Sequence, residues 1–149
     1  MKIPSLQQAE NFIQQAKSRN PGPWVDHSYY VAQAARAIAE HHPRLDPEAA
    51  FILGYLHDIG RQVGVTDMRH ALDGYNFLSE KGFDNAARIC LTHSFPLKGI
   101  HSVAGKWDCS AHELEFVDEY ITHLEFDDYD RLIQLCDAQI GRASCRERV

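Results

Sequence analysis

Residues 51–60, FILGYLHDIG, carry an apolar run straight into an adjacent histidine and aspartate. Just upstream, Asp46-Pro47-Glu48 is a strong helix start, with Asp at the N-cap, Pro at the first helical position and Glu in the first turn. A helix from there places Ala50, Leu53, Gly54 and His57 on one face by the i, i+3, i+4, i+7 rule. Asp58 follows about 100° round from that face, near the helix end expected at Gly60. The stripe points inward, so this helix delivers a histidine and a carboxylate together into the core. A buried carboxylate without a partner is costly: it neutralises, finds a cation or coordinates a metal. For the pair taken alone, a capping histidine beside a solvated Asp58 is the plainer alternative.

The remaining segments read as helices too. Ser5 to Gln8 forms a capping box opening a helix with Leu6, Ala9, Phe12, Ile13 and Ala16 on one side. Asn20-Pro21-Gly22-Pro23 breaks the chain, and a second helix is expected from about Trp24 until Pro43 stops it after His42. Its stripe is Val31, Ala34, Ala35 and Ile38, and four residues back from Val31 lies His27. After a loop over 61–66, a fourth helix over 67–81 has His70, Gly74, Phe77 and Leu78 in register. Gly74 in its middle costs roughly 1 kcal/mol against alanine, which close approach of a backbone or ligand would explain. A fifth helix from Asp84 aligns Ala86, Ile89, Cys90 and His93. Residues 94–108, with Pro96, Gly99 and Gly105, read as a loop or lid. A capping box at Ser110 to Glu113 opens a sixth helix, and Asp127-Asp128 a last one carrying Leu132, Ile133, Leu135, Cys136 and, at the edge of the stripe, Asp137. With no alternating strand pattern and no repeat, the expectation is one all-α domain of about seven helices.

Composition narrows the function classes. At 149 residues the chain suits a single domain with its own core. A formal net charge of -6 argues against coating a nucleic acid or lying on an anionic membrane. Cys90, Cys109, Cys136 and Cys145 show neither C-x-x-C pairing nor finger-like spacing. The start lacks an apolar signal region, and no apolar run approaches the roughly 18 residues of a membrane helix. A cytoplasmic protein with reduced thiols is expected.

The histidines decide the reading. His27, His57, His70 and His93 each fall on the apolar stripe of a different helix, and Asp58 and Asp137 add carboxylates. One inward histidine is commonly a hydrogen-bonded core residue. Four unpartnered ones would cost about 1–3 kcal/mol each, and a shared metal satisfies them jointly, because imidazole and carboxylate are ligands for Zn, Mn, Fe, Co or Ni. His41, His42, His112 and His123 read as structural, and Trp107 as packing or a platform for stacking a base.

The order H…HD…D, here His27, His57-Asp58 and Asp137, resembles the HD superfamily of metal-dependent phosphohydrolases. Flanking residues agree: HSYYVAQAARAIA, LGYLHDIGR and LIQLCDA. The middle piece, RHALDGYNFL followed by ARICLTHS, is similar to branches that add two histidines for a second metal. The resemblance implies an HD-domain helical bundle in which His27, His57, Asp58 and Asp137 hold a first divalent transition metal. His70 and His93 would hold a second, with Asp58 bridging. Ser94 stands where some two-metal members have a further histidine, which leaves one ion or two open. The implied activity is hydrolysis of a nucleotide or related small phosphate ester or anhydride by metal-activated water. Asp58 and Arg61 would be the catalytic pair, and Arg61, Arg69, Lys98 and His101 would contact substrate, with Lys106 a weaker choice. A non-catalytic nucleotide- or metal-binding module and a di-iron oxygenase are the alternatives on the same fold. Substrate identity and oligomeric state are left open.

The string IGRASCRERV, residues 140–149, breaks the preceding pattern with three arginines in ten residues. It resembles one reading frame of a common sequencing-library adapter. The expectation is a C-terminally truncated HD domain over residues 1–138 and a non-native tail over 139–149. That tail should pack against little and leave apolar surface open around Leu132, Leu135 and Cys136.

Overall fold

The helix α3, Pro47–Leu56, is buried at every position from 49 to 56, as expected where apolar residues cover the whole circumference. The Asp46 carboxylate starts it by accepting from the Ala49 N–H at 2.8 Å. Around it lie α1 (Leu6–Arg19), α2 (Pro23–Ala39), α4 (Arg69–Glu80), α5 (Asp84–Thr92), α6 (Ala111–His123) and α7 (Asp128–Glu147). The computed structural model describes residues 1–103 and 105–141, together with the backbone of α7 to Glu147. No strand occurs among the described residues, so the fold is the expected all-α bundle. No described helix is long and apolar enough to cross a membrane.

Both expected capping boxes form, Ser5 with Gln8 on α1 and Ser110 with Glu113 on α6. The main core joins α1, α2, α3, α5 and α7 through Ile13, Val31, Leu53, Leu56, Ile89 and Ile133. A smaller cluster of Leu72, Leu91, Phe95, Val117 and Ile121 seats α6 on α4 and α5. α2 packs on α3 at Gly54, where a Cβ would lie 2.9 Å from the Ala32 Cα. The two backbones touch there because glycine leaves the space.

Several boundaries differ from the sequence expectation. α2 stops at Ala39 rather than His42, and Ile38 is 42% exposed instead of buried. α3 ends at Leu56, four residues before Gly60. The His57 N–H turns to the Gly54 carbonyl, three residues back, and the chain tightens into a 3-10 segment, Ile59–Val63, where a loop was expected from residue 61. On α7, Leu132 and Cys136 are buried and Ile140 packs against the main core; of the expected open apolar residues only Leu135, at 50%, is exposed. For the rest of the expected tail, the side chains of 142–149 lie outside the described residues.

The 3-10 segment runs directly over α4. A Cβ on Gly60 would collide with the His70 carbonyl and the Gly74 nitrogen, and one on Gly74 would come within 2.9 Å of Cys90 Sγ. The Cys90 side chain, together with the Gly60 backbone, explains a glycine in the middle of α4. Gly60→Ala should therefore destabilise the fold by about 3 kcal/mol, read as a lower denaturation midpoint at constant m-value. An unchanged midpoint would mean that the two backbones part without strain.

Candidate metal centre

Five elements end or pass at one point. His27 projects from the second turn of α2, and His57 and Asp58 follow the last residue of α3. His70 stands in the first turn of α4, His93 caps the C-terminus of α5, and Asp137 lies along α7. Three of the imidazoles are oriented by local hydrogen bonds. His57 Nδ1 meets the Gly54 carbonyl at 2.7 Å, His70 Nδ1 that of Asp67 at 2.7 Å, and His93 Nδ1 that of Ile89 at 3.2 Å. A carbonyl only accepts, so each ring carries a proton on Nδ1 and turns Nε2 inward.

The inward atoms converge. His27 Nε2 lies 2.8 Å from Asp137 Oδ1, and His57 Nε2 lies 3.3 Å from both Asp137 Oδ1 and Asp58 Oδ2. The other Asp58 oxygen faces His70 Nε2 at 3.3 Å and His93 Nε2 at 3.4 Å. His27, His57 and Asp58 bring ligand atoms within 4.8 Å of one another, as do His57, His93 and Asp137, and Asp58, His70 and His93. His57 Nε2 and Asp58 Oδ1 are buried without a hydrogen-bond partner among the described residues. Buried donors and acceptors are ordinarily paired, and here the imidazole and carboxylate set is that of a Zn, Mn, Fe, Co or Ni site. The residues fit a metal.

Charge inside the cluster is balanced by contact. Burial pulls the His57 imidazole toward neutrality, but Asp58 and Asp137 outweigh it and hold the ring well above its ordinary pKa. Burial would likewise raise Asp58, yet His57, His70 and His93 keep that carboxyl well below the usual range. Asp137 is held low by His27 and His57 against the same burial effect.

A cleft of about 1070 Å³ opens over the cluster. α2 contributes Trp24, Asp26 and Tyr30 to its wall, α7 contributes Gln134 and Ala138, and Met68, Pro96 and Val103 line it as well. Arg61 also lines it, with Nε 3.3 Å from Asp58 Oδ2. Among the described lining residues Arg61 is the one arginine or lysine.

The other expected substrate cations lie elsewhere. Both terminal nitrogens of Arg69 are held by Glu113 at 2.9 Å, tying α4 to α6. Lys98 is exposed with Nζ 5.8 Å from the Phe126 ring centre, His101 and Lys106 are exposed, and none of the three lines the cleft. Trp107 packs on Phe95, with ring centres 5.8 Å apart, and donates to the Ile100 carbonyl.

One supporting network had no signal in the sequence pattern. Asp130 on α7 is fully buried, accepts from Thr92 Oγ1 at 2.7 Å and pairs with Arg88. Burial would raise its carboxyl, but Arg88 and Thr92 hold it below the usual range. Gln134 adds a 3.0 Å bond to the Thr92 carbonyl. Together they lock the end of α5, where His93 sits, to the helix that carries Asp137. An aspartate in the first turn of a helix looks like ordinary N-terminal charge; its partners, 38 and 42 residues upstream, give it another role.

Compared with known protein families, residues 24–139 match the model of the HD domain. No curated protein and no solved structure gives a significant match.

Two outcomes are expected. Asp58→Ala should strip bound metal at nearly unchanged helix content, whereas His123→Ala, on an exposed face of α6, should not. Metal retention by the Asp58 variant would remove this carboxylate from the ligand set. In chelator, the raised His57 contributes stability that is fully present below the ordinary histidine value of roughly 6.5 and lost as pH climbs through its raised value. The lowered Asp58 and Asp137 contribute above the ordinary carboxylate range, and that part is lost in acid. Melting temperature in EDTA should thus fall on the alkaline side, while a metal held by His57 would take the place of that proton, so that loaded protein should keep its stability there.

Proposed function

The chain belongs to the HD-domain family, a superfamily of metal-dependent phosphohydrolases, and on that premise we propose that it hydrolyses a small phosphorylated substrate, a nucleotide or a related phosphate ester or anhydride. The observation that carries this reading is the convergence of the histidines and aspartates beneath a cleft whose one described arginine stands beside Asp58. His27, His57, Asp58 and Asp137 would hold one divalent transition metal, and His70 and His93, with Asp58 shared, a second. The chemistry such a metal supplies when bound is activation of water at neutral pH and withdrawal of charge from a phosphoryl oxygen.

The chain's own groups do the rest. The Nδ1–H bonds of His57, His70 and His93 hold each Nε2 on the cluster, so little reorganisation is needed when a ligand arrives. Arg61 offers a permanent positive charge to the phosphoryl oxygens and to the charge that builds on the leaving oxygen. Its contact with Asp58 keeps the guanidinium at the cluster edge. A cleft of about 1070 Å³ has room for a nucleoside-sized leaving group in addition to a phosphate.

Phosphate release should be measured on a panel of nucleotides and simple phosphate esters, with Mn, Co, Ni, Mg or Fe added. Turnover is expected with at least one pair. Arg61→Ala should lower kcat/KM by about 100-fold, the size of effect typical of one preorganised electrostatic donor, with metal content unchanged. No turnover in any combination, together with substrate-dependent O₂ consumption, would overturn the phosphohydrolase reading.

A further inference from the structure

The direction of the Arg61 guanidinium depends on a short and weakly built segment. Ile59–Val63 is five residues of 3-10 helix, whose hydrogen bonds are poorer than those of an α-helix. Any tilt of its backbone is magnified along the arginine side chain. One side of the segment is set by Gly60 against α4. The other side is held by the end of α1: Asn20 Nδ2 donates to the Arg61 carbonyl at 2.7 Å, and Arg19 donates to Gln62 Oε1 at 2.5 Å.

Asn20 is itself fixed through its backbone. Its N–H donates to the Ala16 carbonyl at 3.0 Å, closing α1, and its carbonyl accepts from Trp24 Nε1 at 2.8 Å. Neither bond uses the side chain, so α1 is capped without it. The amide is given to the backbone of the residue that carries the cleft's arginine, 41 positions away. Trp24 also lines the cleft, so one residue ties the end of α1, the start of α2 and the Arg61 turn together.

We propose that Asn20 is a positioning residue for Arg61: its side-chain amide fixes the carbonyl of the 3-10 turn so that the guanidinium faces a phosphoryl group bound at the metal cluster. This rests on the reading of Arg61 as the phosphate-binding cation. The amide acts through the backbone, so its effect on phosphate exists only while the Arg61 side chain is present.

The test is a double-mutant cycle on the whole Mn-loaded chain, with inorganic phosphate as the probe. Phosphate binding is measured by calorimetry for wild type, Asn20→Ala, Arg61→Ala and the double variant, and hydrolysis of the best substrate in parallel. Asn20→Ala should weaken phosphate binding about fivefold, the worth of one hydrogen bond, and raise KM more than it lowers kcat. In the Arg61→Ala background it should change neither. Asn20→Leu, which keeps the size but loses the donor without adding a charge, should behave like alanine, and it serves where the alanine variant folds poorly. Equal effects of Asn20→Ala with and without Arg61, or no effect on phosphate, overturn the inference. Wild-type protein that binds phosphate in this way without hydrolysing any substrate removes the hydrolase reading and leaves the positioning role standing. Wild-type protein that binds no phosphate overturns both.

Discussion

A single buried carboxylate sets most of this architecture. Asp58 is 4% exposed, with one oxygen facing His57 and Arg61 and the other facing His70 and His93. Removing a carboxylate from water is costly unless positive or metal-bound partners surround it. Those partners must come from separate helices, because a single helix can present only a few residues toward one point. The bundle supplies them by bringing the C-terminal ends of α3 and α5, the start of α4 and the flanks of α2 and α7 to one place.

That placement explains features that would otherwise count as defects. α3 breaks after Leu56, which turns Asp58 out of the helical path and starts the 3-10 turn that carries Arg61. The break is tolerated because the Gly54 carbonyl, which the His57 N–H reaches only at 3.5 Å, also accepts from His57 Nδ1 at 2.7 Å. Gly60 and Gly74 sit where the 3-10 turn crosses α4: a side chain on Gly60 would collide with the His70 carbonyl, and one on Gly74 with Cys90. Beside the cleft, the Asp130, Arg88 and Thr92 network does similar work, holding α5 to α7 so that His93 and Asp137 share one site.

The electrostatic economy of the cleft follows from the same arrangement. Its carboxylates outnumber its described permanent cations, so an anionic substrate of the kind proposed would depend on bound metal and on Arg61. Arg69, which a count of charges along the sequence would include, is already neutralised by Glu113 and serves packing between α4 and α6.

The sequence by itself determined the helices and which of their histidines turn inward. Stripes at i, i+3 and i+4 are local, so they placed His27, His57, His70 and His93 on inward faces before any tertiary contact was known. The capping boxes at Ser5 and Ser110 and the Asp46-Pro47 start are equally local, and all form. What only the tertiary structure decided is which charges face the cluster and what holds them there. Arg61 enters the cleft while Arg69, Lys98 and His101 do not, Asn20 reaches a carbonyl 41 residues away, and Asp130 is buried in an ion pair. Hydrophobic periodicity reports a residue's angle about its own axis. The role of a polar side chain depends on the group across from it, and that neighbour comes from another helix.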